Sequence, residues 1–114
     1  MSYTSLLFGD VVLVRFPFTD QATLKKRPSV VVSSAAYNRV KPDLILMAVT
    51  SQFRPVPTLG EVWLQDWQAA GLLKPSVVKP LIVSLEQRLI LRQLGALAPN
   101  DLPALRLSLS QILG

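Results

Sequence analysis

Leu44-Ile45-Leu46-Met47-Ala48-Val49-Thr50-Ser51-Gln52 runs six apolar residues together and then sets down two hydroxyls and an amide. A run of that length, without periodic gaps, reads as a strand over Leu44–Thr50 covered on both faces, and therefore central in its sheet. It is the longest apolar run in the chain, far short of the roughly 18 residues a spanning helix needs.

Outward toward the N-terminus, Pro28-Ser29-Val30-Val31-Val32-Ser33 is a second β-branched run. Before it, Asp10-Val11-Val12-Leu13-Val14-Arg15-Phe16 is a third, ended by Pro17. Thr19–Lys26 reads as a polar loop, and Ala35–Pro42, with Asn38 and Pro42, as a connection. Toward the C-terminus, Pro55, Pro57 and Gly60 mark Phe53–Gly60 as a loop, followed by a short strand Glu61–Leu64. Gln65–Ala70 favours a short helix with Gly71 at its C′ position. The strand pattern resumes at Pro75–Val78 and continues past Pro80 over Leu81–Ser84. Leu85–Leu94 fits either helix or strand. Leu102, Leu105, Leu109 and Ile112 define a terminal amphipathic helix, with Asn100 able to cap it and Asp101 in its first turn. Five or six short strands before one helix predict a mainly β chain, a small antiparallel barrel sealed by a C-terminal helix.

The 114 residues are expected to form a single domain, 1–114, and are half hydrophobic, enough for one core. Neither Cys nor His occurs. Thiol nucleophiles, zinc–thiolate sites, His-containing triads and imidazole acid–base chemistry are thereby excluded. Asp10, Asp20, Asp43, Glu61, Asp66, Glu86 and Asp101 are scattered, so no metal site is expected, and no glycine-rich phosphate loop announces a nucleotide cofactor. Twelve Lys/Arg against seven Asp/Glu give +5. Residues 1–57 hold seven basic and three acidic residues (+4), and residues 58–114 five and four (+1), so the basic half points to an anionic partner. The N-terminus lacks a basic segment and meets Asp10 early, so no signal peptide is expected and the cytoplasm is the default location.

Three features can carry chemistry. Lys25-Lys26-Arg27 stands before a strand, and Pro28 biases Arg27 toward extended backbone, which launches a planar fork of donors suited to phosphate from the sheet's mouth. Thr50-Ser51-Gln52 ends the central strand, where a rigid sheet fixes polar groups. Trp63 and Trp67 offer indole faces on which a base stacks. Each also has an ordinary reading: a solvated basic loop, a strand-end cap, and two core aromatics.

Taken together, Gly9–Val14, then Lys26-Arg27-Pro28 opening a strand, then Ala48–Gln52 resemble the MazF/PemK family in order and spacing. Ala70–Val78 and the terminal helix extend the resemblance from about Gly9 to Gly114. The family comprises RNA-cutting toxins of toxin–antitoxin systems. The resemblance implies an SH3-like barrel, a homodimer, and a metal-independent endoribonuclease acting on single-stranded RNA without cofactor. Its catalytic pair falls on Arg27 and Thr50, and Gln52 matches the family's Thr-x-Gln position near the RNA. Lys25 and Lys26 depart from the small glycine-rich residues frequent there in the family, and by their charge they are expected, with Ser51, to bind RNA. It also implies an antitoxin whose acidic, disordered segment meets the basic face, for which Arg15, Lys25, Lys26, Arg39, Lys41 and Arg54 are candidate contacts. Many members carry an acid five residues before the Arg of Arg-Pro; here that position is Ala22, and the nearest acid is Asp20. Two alternatives share the fold: a gyrase-poisoning CcdB-like toxin, and a homologue that binds RNA or antitoxin without cutting.

Overall fold

β-branched residues pack well on a pleated surface, and the valine-rich runs become the inner strands of a curled sheet. A computed structural model of the chain describes residues 6–16 and 25–114. In chain order the elements are β1 (Asp10–Phe16), β2 (Lys25–Val31), α1 (Ala35–Val40), β3 (Asp43–Thr50), β4 (Val62–Trp63), β5 (Val77–Glu86), β6 (Arg92–Ala96) and α2 (Leu102–Leu113). The sheet runs β4-β5-β3-β2-β1-β6, antiparallel throughout. Mainly β with a C-terminal helix is thus the observed architecture, as the sequence predicts.

The inner strands are buried on both faces, which is why their residues do not alternate apolar with polar. One face gathers Val11, Val30, Met47 and Val49 with Val62, Val78 and Leu105 of α2. The other gathers Val12, Val14, Val31, Leu44, Leu46 and Ala48, with Leu81, Val83 and Leu85 half-buried beside them.

Several local expectations change. Ala35–Val40 is a helix rather than a plain connection: Ser34 caps it, accepting from the Tyr37 amide at 3.2 Å. Buried Asn38 locks it in place by donating to the Leu6 and Ser33 carbonyls at 2.9 and 3.2 Å. Tertiary bonds override the weak helix propensity of Asn and Val. Gln65–Ala70 forms turns, not a helix. Asn100 does not cap α2. Asp101 takes the N-cap position without capping, because its carboxylate accepts from the Gln65 and Asp66 amides at 2.9 and 3.0 Å. Lys25 and Lys26 belong to β2 rather than to a loop, paired with Phe16 and Arg15 of β1. The rest of that predicted loop, with Asp20 and Ala22, lies outside the described residues, as does Pro17. The ambiguous segment resolves into the end of β5, a 3₁₀ turn at Gln87–Leu89, and β6.

The two edges of the sheet are brought together by the chain after β4. Gly71 has φ +83°, and a Cβ there would lie 2.1 Å from the Leu94 carbonyl oxygen. At Gly95 a Cβ would meet the Ala70 carbonyl oxygen at 2.6 Å. Only two residues without side chains let these backbones touch, and the contact closes the curl.

A second backbone feature opens the sheet. The β2–β3 pairing reads Val31↔Leu46, Val30↔Met47, Ser29↔Ala48, and stops. Just beyond β2, Val32 donates to the Ile45 carbonyl at 2.8 Å. Amides of alternate residues point the same way in a strand, so those of residues 32, 30 and 28 face β3. Residue 28 is Pro and has no hydrogen to give Val49. Past that point β2 stays with β1 (Arg27↔Val14) and β3 stays with β5 (Thr50↔Val77). The strands part there.

Two substitutions test this frame. Pro28→Ala supplies the missing donor, a gain of about 1 kcal/mol, and loosens the unfolded chain at a cost of about 0.4–1 kcal/mol. Stability should change little, while the amide at position 28 becomes protected in hydrogen exchange; rapid exchange there contradicts the assignment. Gly71→Ala should cost about 3 kcal/mol in denaturant unfolding, from the left-handed backbone plus the clash with β6.

Candidate functional site

Where β2 and β3 separate lies a cleft of about 690 Å³. Lys25, Lys26, Arg27 and Pro28 come from β2, and Val49, Thr50, Ser51 and Gln52 from the end of β3. The register that pairs residues 29 and 48 sets Arg27 opposite Thr50, two positions further along. Both belong to the face of the sheet that carries Val31, Ala48 and Leu46, because side chains repeat every second residue. All six residues singled out from the sequence, from both faces, line one cavity at the parted strand ends.

Arg27 is half-buried. Its Nε is buried and has no hydrogen-bond partner among the described residues, and the same is true of the Ser29 hydroxyl two residues along that face. A buried donor on a charged group without an acceptor is costly, so among the described residues this guanidinium is left poised for an acceptor. The Thr50 hydroxyl is held by a local turn: it accepts from the Gln52 amide at 3.0 Å and faces the Gln52 carbonyl at 3.1 Å. The strand-end cap and the site residue are thus one structure. The turn fixes the hydroxyl and leaves Ser51 and Gln52 exposed at the cavity wall.

The opposite wall was not legible in the sequence. Lys74 comes from the chain after the β4 edge, and Arg92 from β6, where it pairs with Leu13. Lys74 lies within the resembling Ala70–Val78 block, a usable signal. Arg92 lies in the segment with no clear periodicity, and only the β1–β6 pairing brings it in. The lining then holds five cations (Lys25, Lys26, Arg27, Lys74, Arg92) and, among the described residues, no carboxylate.

The carboxylates have other work. Asp10 accepts from the Leu7 amide at 2.8 Å. Asp43 accepts from the Tyr37 and Ser84 hydroxyls, the Ser84 bond holding its pKa below the ordinary range. Glu61 accepts from the Thr58 amide at 2.9 Å and the Trp63 indole at 3.3 Å; the bond at Thr58 lowers its pKa most. Among the described residues no three His, Cys, Asp or Glu side chains converge as metal ligands would. Trp63 stands edge-on to Phe53, centroids 4.9 Å apart, and Trp67 packs on the core beneath α2. Neither lines the cleft, and each packs against neighbouring side chains. Arg15, Arg39, Lys41 and Arg54 are exposed and also lie outside the cleft. No helix among the described residues is long and apolar enough to cross a membrane.

Residues 8–113 match the family model of PemK-like, MazF-like toxins of type II toxin–antitoxin systems. No curated protein shows significant similarity to the chain. Among solved structures, MazF in a MazE–MazF complex from Deinococcus radiodurans is 29% identical, with a TM-score of 0.75 over 97% of this chain and 98% of that one. An endoribonuclease in complex with its cognate antitoxin from a mycobacterial species is 21% identical, with a TM-score of 0.77 over 96% and 95%. The Mycobacterium tuberculosis toxin MazF-mt6 is 19% identical, with a TM-score of 0.74 over 91% and 95%. These last two, at such identities, speak for the fold. A cationic cleft opened by an Arg-Pro pair, in a curled sheet sealed by a helix and matched along almost its whole length, places this chain in the PemK-like, MazF-like toxin family of type II toxin–antitoxin systems.

Proposed function

We propose that the chain is an endoribonuclease toxin that cuts single-stranded RNA without a metal, in one toxin domain spanning its 114 residues. The observation that carries this reading is the cleft itself: Arg27 with an unpaired buried Nε, Thr50 across the gap, and four more cations around them. RNA brings its own nucleophile, the 2′-hydroxyl. Such a site has to bind, align and stabilise charge rather than generate an attacking group.

Arg27 donates to the nonbridging oxygens of the scissile phosphate, strongest when charge builds in the phosphorane. Thr50, held by its turn, orients the 2′-hydroxyl or a phosphate oxygen. The 2′-oxygen bonds to phosphorus as the bond to the 5′-oxygen breaks. Water takes the proton of the 2′-hydroxyl, and water returns one to the departing 5′-oxygen. The products are a 2′,3′-cyclic phosphate and a 5′-hydroxyl end. Lys25, Lys26, Ser51 and Gln52 hold the flanking RNA, and Lys74 and Arg92 join them from the far wall.

The protein partner is an antitoxin whose acidic segment fills the same cleft, a reading supported by the antitoxin complexes of the two neighbours. A homodimer and a cytoplasmic setting follow from the family and from an RNA substrate.

The test is incubation of the purified protein with a long mixed-sequence RNA under chelator, followed by end analysis. Cleavage with cyclic-phosphate ends is expected. Arg27→Ala should lower the rate by about 10²-fold or more, and Thr50→Ala by about tenfold or more. Intact RNA with folded protein refutes the reading. RNA binding without cleavage would mark a non-catalytic binder, and blocked gyrase a CcdB-like toxin.

A further inference from the structure

The catalytic crest has a second side. A smaller hollow of about 210 Å³ adjoins the cleft and shares Arg27, Val49, Thr50 and Gln52 with it. What it adds is Ala48, Lys79 and Leu81. Ala48 and Leu81 belong to the sheet face of Leu46 and Val83, whereas Leu72 and Leu94, which line only the main cleft, belong to the face under α2. The two hollows thus lie on either face of the sheet and meet over the separated ends of β2 and β3.

Lys79 reaches this hollow through a defect in β5. Ile82 pairs with Met47 and Val78 with Val49, so Lys79, Pro80 and Leu81 together stand opposite Ala48 alone. Two extra residues in one strand make a special bulge, and Pro80 removes a donor inside it. Val77 and Val78 stay fully buried while Lys79 is exposed. Lys79 is near enough to Glu61 to help lower the pKa of that carboxyl, yet forms no ion pair with it among the described residues. Among the described residues its ammonium has no ion-pair partner, and no carboxylate lines the hollow.

We infer that the smaller hollow is a second ribonucleotide pocket and that Lys79 binds the phosphate next to the scissile one. The inference rests on the endoribonuclease reading. A phosphodiester held between Arg27 and Thr50 has a nucleotide on each side, and one chain cannot send both into the main cleft without doubling back. The strand crosses the crest, with several nucleotides in the large cleft and one in the small hollow. Lys79 then raises affinity without taking part in bond making.

The experiment uses an RNA cut by the wild-type protein, trimmed one nucleotide at a time from each end. For one end, loss of the nucleotide adjoining the cut should raise KM about tenfold in the wild type. Lys79→Ala should impose a similar KM rise on the untrimmed RNA, with kcat nearly kept, and a much smaller one once that nucleotide is gone. Its binding to the uncleavable 2′-deoxy substrate should lose about 0.7 from the slope of log affinity against log salt. Lys79→Arg should restore both. Arg88→Ala, a charge removed outside both hollows, should do neither. A Lys79→Ala protein that handles every length like the wild type, or loses one constant factor at every length, overturns the pocket assignment while the nuclease reading stands. A wild-type protein that cuts no RNA removes both.

Discussion

The β2–β3 ladder stops where Pro28 has no hydrogen for the Val49 carbonyl, and the site is what the sheet makes of that gap. Each strand remains tied to its other neighbour, β2 to β1 and β3 to β5, so the ends are rigid although they are apart. Arg27 and Thr50 would be an ordinary cross-strand pair in a continuous ladder. Here they face each other across open space. The same proline restricts the residue before it to extended backbone, which aims Arg27 outward from the sheet end. One residue therefore opens the cleft and directs the guanidinium into it.

Closure at the opposite end matters equally. The Ala70–Gly71 backbone lies against Leu94–Gly95, and this contact carries Lys74 and Arg92 to face β2. Five cations then surround one cavity with no carboxylate among the described lining residues. Mutual repulsion in such a cluster is tolerable because most of these side chains are exposed and screened by water. On the proposed reading, an incoming polyanion relieves the repulsion and satisfies the Arg27 Nε in one step. The acids that might have neutralised the cluster are committed elsewhere: Asp101 to the backbone before the Ala70–Gly71 contact, Asp43 to two hydroxyls, Glu61 to its own turn.

Much of this was legible in the sequence, and for definite reasons. Uninterrupted β-branched runs identify strands buried on both faces, and the period of Leu102, Leu105, Leu109 and Ile112 identifies α2. Lys25, Lys26, Arg27, Thr50, Ser51 and Gln52 were legible because each sits at a strand end beside a local signal. What was hidden depends on partners far away in the chain. α1 is short and weak by propensity, and holds because Asn38 bonds to Leu6 and Ser33. Asp101 has a capping position but spends its carboxylate 35 and 36 residues away. Arg92 enters the cleft through strand pairing and Lys79 the adjoining hollow through a bulge, neither of which leaves a local pattern. The sequence predicts that the strand continues past Pro80, and it does so as one element, β5, but the bulge in which Pro80 sits leaves no such signal.

The most direct measurement is a structure of the protein with an RNA carrying 2′-deoxyribose at the cut position, so that binding proceeds and cleavage cannot. The account places the scissile phosphate in the gap past Ser29 and Ala48, within hydrogen-bond distance of both the Arg27 guanidinium and the Thr50 hydroxyl. A phosphate bound away from that gap, with either group left facing solvent, would contradict it.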